Sequence, residues 1–280
     1  MDIGLGGMAM KNILKIMLMM ITIFTIAGSA VYAAEIPVSD QDQLITSNDW
    51  TEISNLQDEM KKEEPDATID YDKALKVYVD CNLIKLQTAD TKKLTSALES
   101  ANYVWVIPFK MEKTYGMFTV AKGLPLREEA KSVLTKAEQE EVKNHAGKWM
   151  ITEIAEHTVE PYYDILLEKR EALSDCTRVV LVGSQPGMRQ PVALGMDDET
   201  ARIWISLGYQ YPVMEKIPET QNVESGVYSF DSVAEISDTY IEDSEVSTGV
   251  GVQSRSSMKY VAGIGIVLIG GILICLLYTS

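Results

Sequence analysis

Residues 103–122, YVWVIPFKMEKTYGMFTVAK, decide the fold. Tyr103, Trp105, Ile107 and Phe109 fall on one side of an extended chain and Val104 and Val106 on the other, because successive strand side chains point to opposite faces. A strand that is apolar on both sides needs cover on both, which places it in the middle of a sheet with layers packed above and below. The polar stretch Glu112-Lys113-Thr114 then turns the chain into a second strand, Tyr115 to Lys122, completing a hairpin.

Upstream of this hairpin, Trp50, Ile53, Leu56 and Met60 recur at helical spacing, with Asn48 or Asp49 placed to cap the helix. The polar run from Lys61 to Asp70, which contains Pro65, ends it. Ala74 to Leu86 reads as a strand, and Thr91 to Ala101 as a helix with Leu94 and Leu98 facing inward.

Downstream, the stretch from Leu126 to Ala146 is helical in pattern but broken, since Thr135 followed by Glu138 has the spacing of a capping box. Gly147 is a natural stop, and Trp149 to Ile154 resumes as a strand. Pro161 opens another helix, in which Tyr162, Ile165, Leu166 and Leu173 form one stripe. Three strands follow, Thr177 to Gly183, Pro191 to Met196 and Ala201 to Leu207, joined by turns at Pro186-Gly187 and Asp197-Asp198. In the last of them Ala201, Ile203, Ile205 and Leu207 alternate with Arg202, Trp204 and Ser206, which places Trp204 on the outer face. This order predicts an α+β domain over residues 49–217, with a mixed or largely antiparallel sheet and packed helices.

Both ends of the chain point to a membrane. Lys11 and Lys15 precede the apolar run Ile16 to Ala27 and the small residues Ala30, Ala33 and Ala34, which is the order of a secretory signal peptide over residues 1–33, the alternative being an uncleaved anchor, for which the apolar run is short. Met8 and Met10 serve as well as Met1 for its start. From Tyr260 to Tyr278 there is no charged side chain, so residues 260–280 are expected to form a single transmembrane helix holding the domain on the extracytoplasmic side of the cell membrane. The run Cys275-Leu276-Leu277-Tyr278-Thr279-Ser280 reads as a translated transposon end, so the natural C-terminus is expected to lie further on. Residues 34–48 are expected to be an acidic leader. Residues 218–259, rich in Asp, Glu, Ser and Gly, are expected to be a disordered stalk, the alternative being one more strand of the domain through Val227, Tyr228 and Phe230.

The chain carries 41 acidic against 25 basic side chains, a net charge of −16. Such a surface repels phosphate backbones, so nucleic acid is not expected as a partner. A protein or peptide of the cell envelope is compatible with it.

Cys81 and Cys176 form an even pair in an oxidising compartment, and a bridge between them is one expectation, two separate buried thiols the other. The segment Gly183-Ser184-Gln185-Pro186-Gly187-Met188-Arg189-Gln190-Pro191 is the most distinctive run, because its glycines and prolines fix a loop. Gln185, Arg189 and Gln190 there, and Trp204 on the last strand, are the ligand-binding candidates; the alternative for the loop is an ordinary hairpin connection. The loop lacks the lysine of a phosphate-binding P-loop, and Ser184 lacks the frame of a hydrolase elbow. His145, in a last helical turn, suits capping, and His157 has no second histidine at zinc-binding spacing. The acidic runs at Asp66, Asp70 and Asp72 and at Asp197, Asp198 and Glu199 lack the glycine and terminal glutamate of a calcium loop. No catalytic residue, metal or cofactor is expected. The sequence therefore favours a non-enzymatic binding, sensing or adaptor domain of unknown ligand, the alternative being a cell-envelope hydrolase or enzyme assembly factor.

Overall fold

The computed structural model describes residues 36–112, 114–157, 160–183, 185–188, 190–209, 211–218 and 222–243. The expected signal peptide and membrane span lie outside the described residues. Among those described, no helix is long and apolar enough to cross a membrane.

The fold is mixed α+β. Among the described residues, ten strands form one sheet: β1 (Thr68–Ile69), β2 (Leu75–Val79), β3 (Asn102–Lys110), β4 (Tyr115–Lys122), β5 (Trp149–His157), β6 (Arg178–Val182), β7 (Val192–Met196), β8 (Ala201–Ile205), β9 (Asn222–Glu224) and β10 (Val227–Ser229). Their order across the sheet is β5-β4-β3-β2-β6-β7-β8-β10-β9, with β1 added beside β3. Every pairing is antiparallel except β2 with β6, which is parallel and spans only Val77 opposite Leu181 and Tyr78 opposite Val182. That parallel seam joins two antiparallel meanders.

The hairpin forms as read, with Phe109 opposite Gly116 and Lys110 opposite Tyr115. The Phe109 ring lies where a Cβ on Gly116 would project, so the glycine is required by close approach. Both faces of β3 are covered. Trp105, Ile107 and Phe109 join a core cluster with Leu44, Ile53, Met60 and Phe118, built on the short helices α1 (Trp50–Ile53) and α2 (Gln57–Glu63). Val106 on the opposite face joins a second cluster with Val77, Val179 and Leu181 of the sheet and Tyr162 and Leu166 of α5 (Tyr162–Glu168). A third cluster packs Leu94 and Leu98 of α3 (Thr91–Ser100) against Val180, Val182, Leu194 and Trp204.

Local signals set several boundaries. Asp90 caps α3 by accepting from the backbone N–H groups of Lys92 and Lys93. The capping box of α4 (Lys136–His145) is complete, with Thr135 N donating to Glu138 and Glu138 N donating to the Thr135 hydroxyl. Beyond β2 the strand expected over residues 74–86 stops at Val79, because Asp80 adopts a left-handed conformation (φ 57°). Leu83 and Ile84 reach the core from a 3-10 turn over Ile84–Leu86 instead.

Two stretches read from sequence as lying outside the domain belong to it. In the expected leader, Ile36, Val38, Asp42 and Leu44 are buried, and Val179 N donates to Pro37 O at 2.8 Å. In the expected stalk, residues 222–229 add β9 and β10, and residues 230–243 form helix α6 (Phe230–Asp243), with Phe230 and Val233 buried. Acidic composition concealed both. Asp42 is buried with its charge compensated, while the acids of α6 at 231 and 235 face solvent and Phe230, Val233 and Ser237 face inward.

Candidate functional site

In the loop after β6, Gln185 is committed to the fold. Gln185 is buried, its Oε1 accepting from Leu83 N at 2.9 Å and its Nε2 donating to Cys81 O at 2.6 Å and Gly183 O at 2.9 Å. It therefore ties the loop after β2 to the loop after β6, locking the end of the parallel seam, and is not free to meet a ligand. Gln190 is half-buried beside it, and Arg189 lies outside the described residues.

Trp204 is fully buried, in place of the outer-face position read from its strand. Its ring stacks on Phe230 at 5.6 Å with the planes 14° apart, so α6 provides the cover that alternation alone did not reveal. Among the described residues, no hydrogen-bond partner reaches its indole N–H.

Cys81 and Cys176 are both free thiols. The parallel seam explains why a bridge is excluded: Cys81 follows the C-terminal end of β2, whereas Cys176 precedes the N-terminal end of β6. That puts them roughly 20–30 Å apart at the rise of an extended strand, far beyond the ~7 Å limit between bridged Cα atoms. They also pack into different clusters on opposite faces. Burial raises both thiols to about 11, which leaves them protonated and unreactive at neutral pH.

Among the described residues, no three His, Cys, Asp or Glu side chains gather as a metal site. Asp197 builds its turn, accepting from Thr200 N at 2.7 Å, Glu199 N at 2.8 Å and Arg202 Nε at 2.6 Å. Those backbone donors, followed by the arginine, hold its carboxyl below the usual range. Asp70 pairs with Lys73 in a solvated turn. His145 ends α4, where Gly147 at φ 75° reverses the chain. Burial raises the Glu153 carboxyl, which bonds Thr119 within the sheet.

Two places stand out, a groove open to solvent and a buried cluster of charges. The first is a groove where α6 passes the segment leading into α3. Ile84, Ala89, Phe230 and Ala234 form its floor and Asp231 and Glu235 its rim, enclosing about 250 Å³. A shallower depression sharing Thr88 continues it past Leu86, which is 44% exposed, to Lys92, Lys93 and Ala97. The α6 side is thus acidic, while the α3 side carries Lys92 and Lys93 together with Asp90. Gln87, between them, holds φ 48°, a left-handed conformation uncommon outside glycine.

The second lies at the seam, where Lys76 and Arg178 converge on Asp42. The Asp42 carboxylate is 2% exposed; it accepts from Tyr78 OH at 2.7 Å, Arg178 NH2 at 3.1 Å and Ser39 Oγ at 2.6 Å, and Lys76 Nζ lies 3.6 Å away. Lys76 Nζ also lies over the rings of Tyr103 at 4.6 Å and Trp105 at 5.3 Å, whose own polar atoms donate to Asp49. Burial lowers the Lys76 pKa, partly opposed by Asp42 and Asp49. Sequence reasoning missed this cluster because its members are 136 positions apart and Asp42 sat in an apparent leader.

Comparison with family models, curated proteins and solved structures finds no match to the chain. The functional reading therefore rests on the geometry.

Proposed function

We propose that this is a non-enzymatic extracytoplasmic domain, anchored to the cell membrane by residues 260–280, that binds a protein or peptide of the cell envelope as a sensor or adaptor. The groove beside α6 carries this reading: an apolar floor opens to solvent between the carboxylates of α6 and the mixed charges of Asp90, Lys92 and Lys93, with Leu86 projecting alongside. A partner segment with an apolar anchor and charges of both signs would complement it, and such mixed surfaces set specificity and register. Burial holds both thiols protonated, in keeping with a role in binding. The net charge of −16 accords with a soluble domain that avoids nucleic acid.

A photoreactive residue placed at Leu86 of the full chain in its own cells tests the proposal. Leu124, also 44% exposed, is the matched control. A discrete adduct at 86 that is absent at 124 is expected; identical patterns at both positions would refute a partner at this groove.

A further inference from the structure

We propose that the seam between β2 and β6 is a carboxylate-binding site that the chain's own N-terminal strap, residues 36–43, fills in cis. The inference stands apart from the groove reading.

Although β2 and β6 are five residues long, they pair at only two positions, and near their N-terminal ends the strap takes the place of further pairing. Val38 bridges Val179 in parallel, the chain turns through residues 39–42, and Gln43 bridges Leu75 in antiparallel fashion. Three backbone bonds hold it to the strands: Val179 N to Pro37 O, Lys76 N to Asp42 O and Leu44 N to Ala74 O. Inserted between the strands is the Asp42 carboxylate, the group toward which Lys76, Arg178 and the Tyr78 hydroxyl all point.

In a chain with a large acidic excess, two cations and a phenol converging on one buried point form a receptor for a carboxylate. Arg178 keeps 26% of its side chain exposed, so the site has an opening to solvent. The strap runs into the domain through Leu44, and displacing it breaks the Val38 and Gln43 bridges and uncovers the buried Ile36 and Val38. A competing carboxylate would take the place of Asp42 and displace the strap, coupling ligand binding to release of the segment that leads toward the N-terminus.

Amide hydrogen exchange on the full chain tests this, with Lys76 N–H and Val179 N–H as reporters because each donates to a strap carbonyl. Two probes are added separately: acetate, and a synthetic peptide of residues 36–44 carrying its own aspartates. The expected result is exchange of both reporters at least about 100-fold faster than Ile107 N–H in the middle of β3, accelerated further by a probe. Acceleration by the peptide alone assigns the ligand to a strap-like segment of a partner; acceleration by acetate as well assigns it to small carboxylates generally. Arg178→Gln should abolish the response to either probe. Reporters that exchange only at the Ile107 rate, or that respond to neither probe, overturn the proposal.

Discussion

Trp204 of β8 and Phe230 at the start of α6 lie face to face, 5.6 Å between ring centroids. This contact closes the domain, because it seats α6 on a sheet face that would otherwise expose an indole. Phe230→Ala is expected to cost about 3–5 kcal/mol in urea denaturation, the usual range for truncating a buried aromatic. A chain cut after Ile217 should fare worse, since it loses β9, β10 and α6 together. Equal stability of chains ending at 217 and at 243 would contradict this.

Gln185 is expected to matter for stability and not for ligand binding. Gln185→Leu leaves Leu83 N, Cys81 O and Gly183 O without their side-chain partner, and each unsatisfied buried group costs roughly 1–3 kcal/mol. Thermal melting should fall sharply, while any adduct formed at Leu86 by the folded fraction should persist.

The thiols offer a pH test. Both are raised to about 11 by burial, from an ordinary value of 9.0, so the folded state binds the proton more tightly than the unfolded state. Their contribution to stability is complete below pH 9 and lost as pH rises toward 11. Mass spectrometry of the unreduced chain should find Cys81 and Cys176 both alkylatable after unfolding. In the native state their alkylation at pH 7 should be slow and should accelerate with pH. A mass two hydrogens short would contradict the free-thiol assignment.

At Asp42, neutralisation strands two cations. Asp42→Ala is expected to cost about 3–5 kcal/mol, as for other buried ion pairs broken from one side. Asp42→Asn, which keeps the shape and part of the hydrogen bonding, should cost less. The Asp42→Ala and Lys76→Met changes together should be less than additive, because they share the interaction. Strict additivity would show that Lys76 and Asp42 do not interact.

Much of this fold was legible in the chain itself. The β3–β4 hairpin, the capping box at Thr135 and Glu138 and the β6–β7–β8 meander all rest on local signals, which is why they emerge where the sequence places them. The failures share a cause. Trp204, Asp42 and residues 222–243 were misplaced because their environment comes from segments distant along the chain, and acidic composition resembles a solvated tether whether or not its few apolar residues find a core. The groove was equally hidden, since Ile84 and Phe230 meet only once α6 has folded back over the end of α3's approach.

The central claim, an extracytoplasmic domain with an occupied groove, can be tested in one labelling measurement. Leu86→Cys and Leu124→Cys chains, each also carrying Cys275→Ser, are treated in intact cells with a membrane-impermeant maleimide, against the low background that the protonated Cys81 and Cys176 provide. Both positions should label from outside, with position 86 slower than 124 in cells and the difference lost in the purified full chain. Labelling that begins only after the cells are opened would contradict the compartment, and equal relative rates in cells and in the purified chain would contradict a partner in the groove.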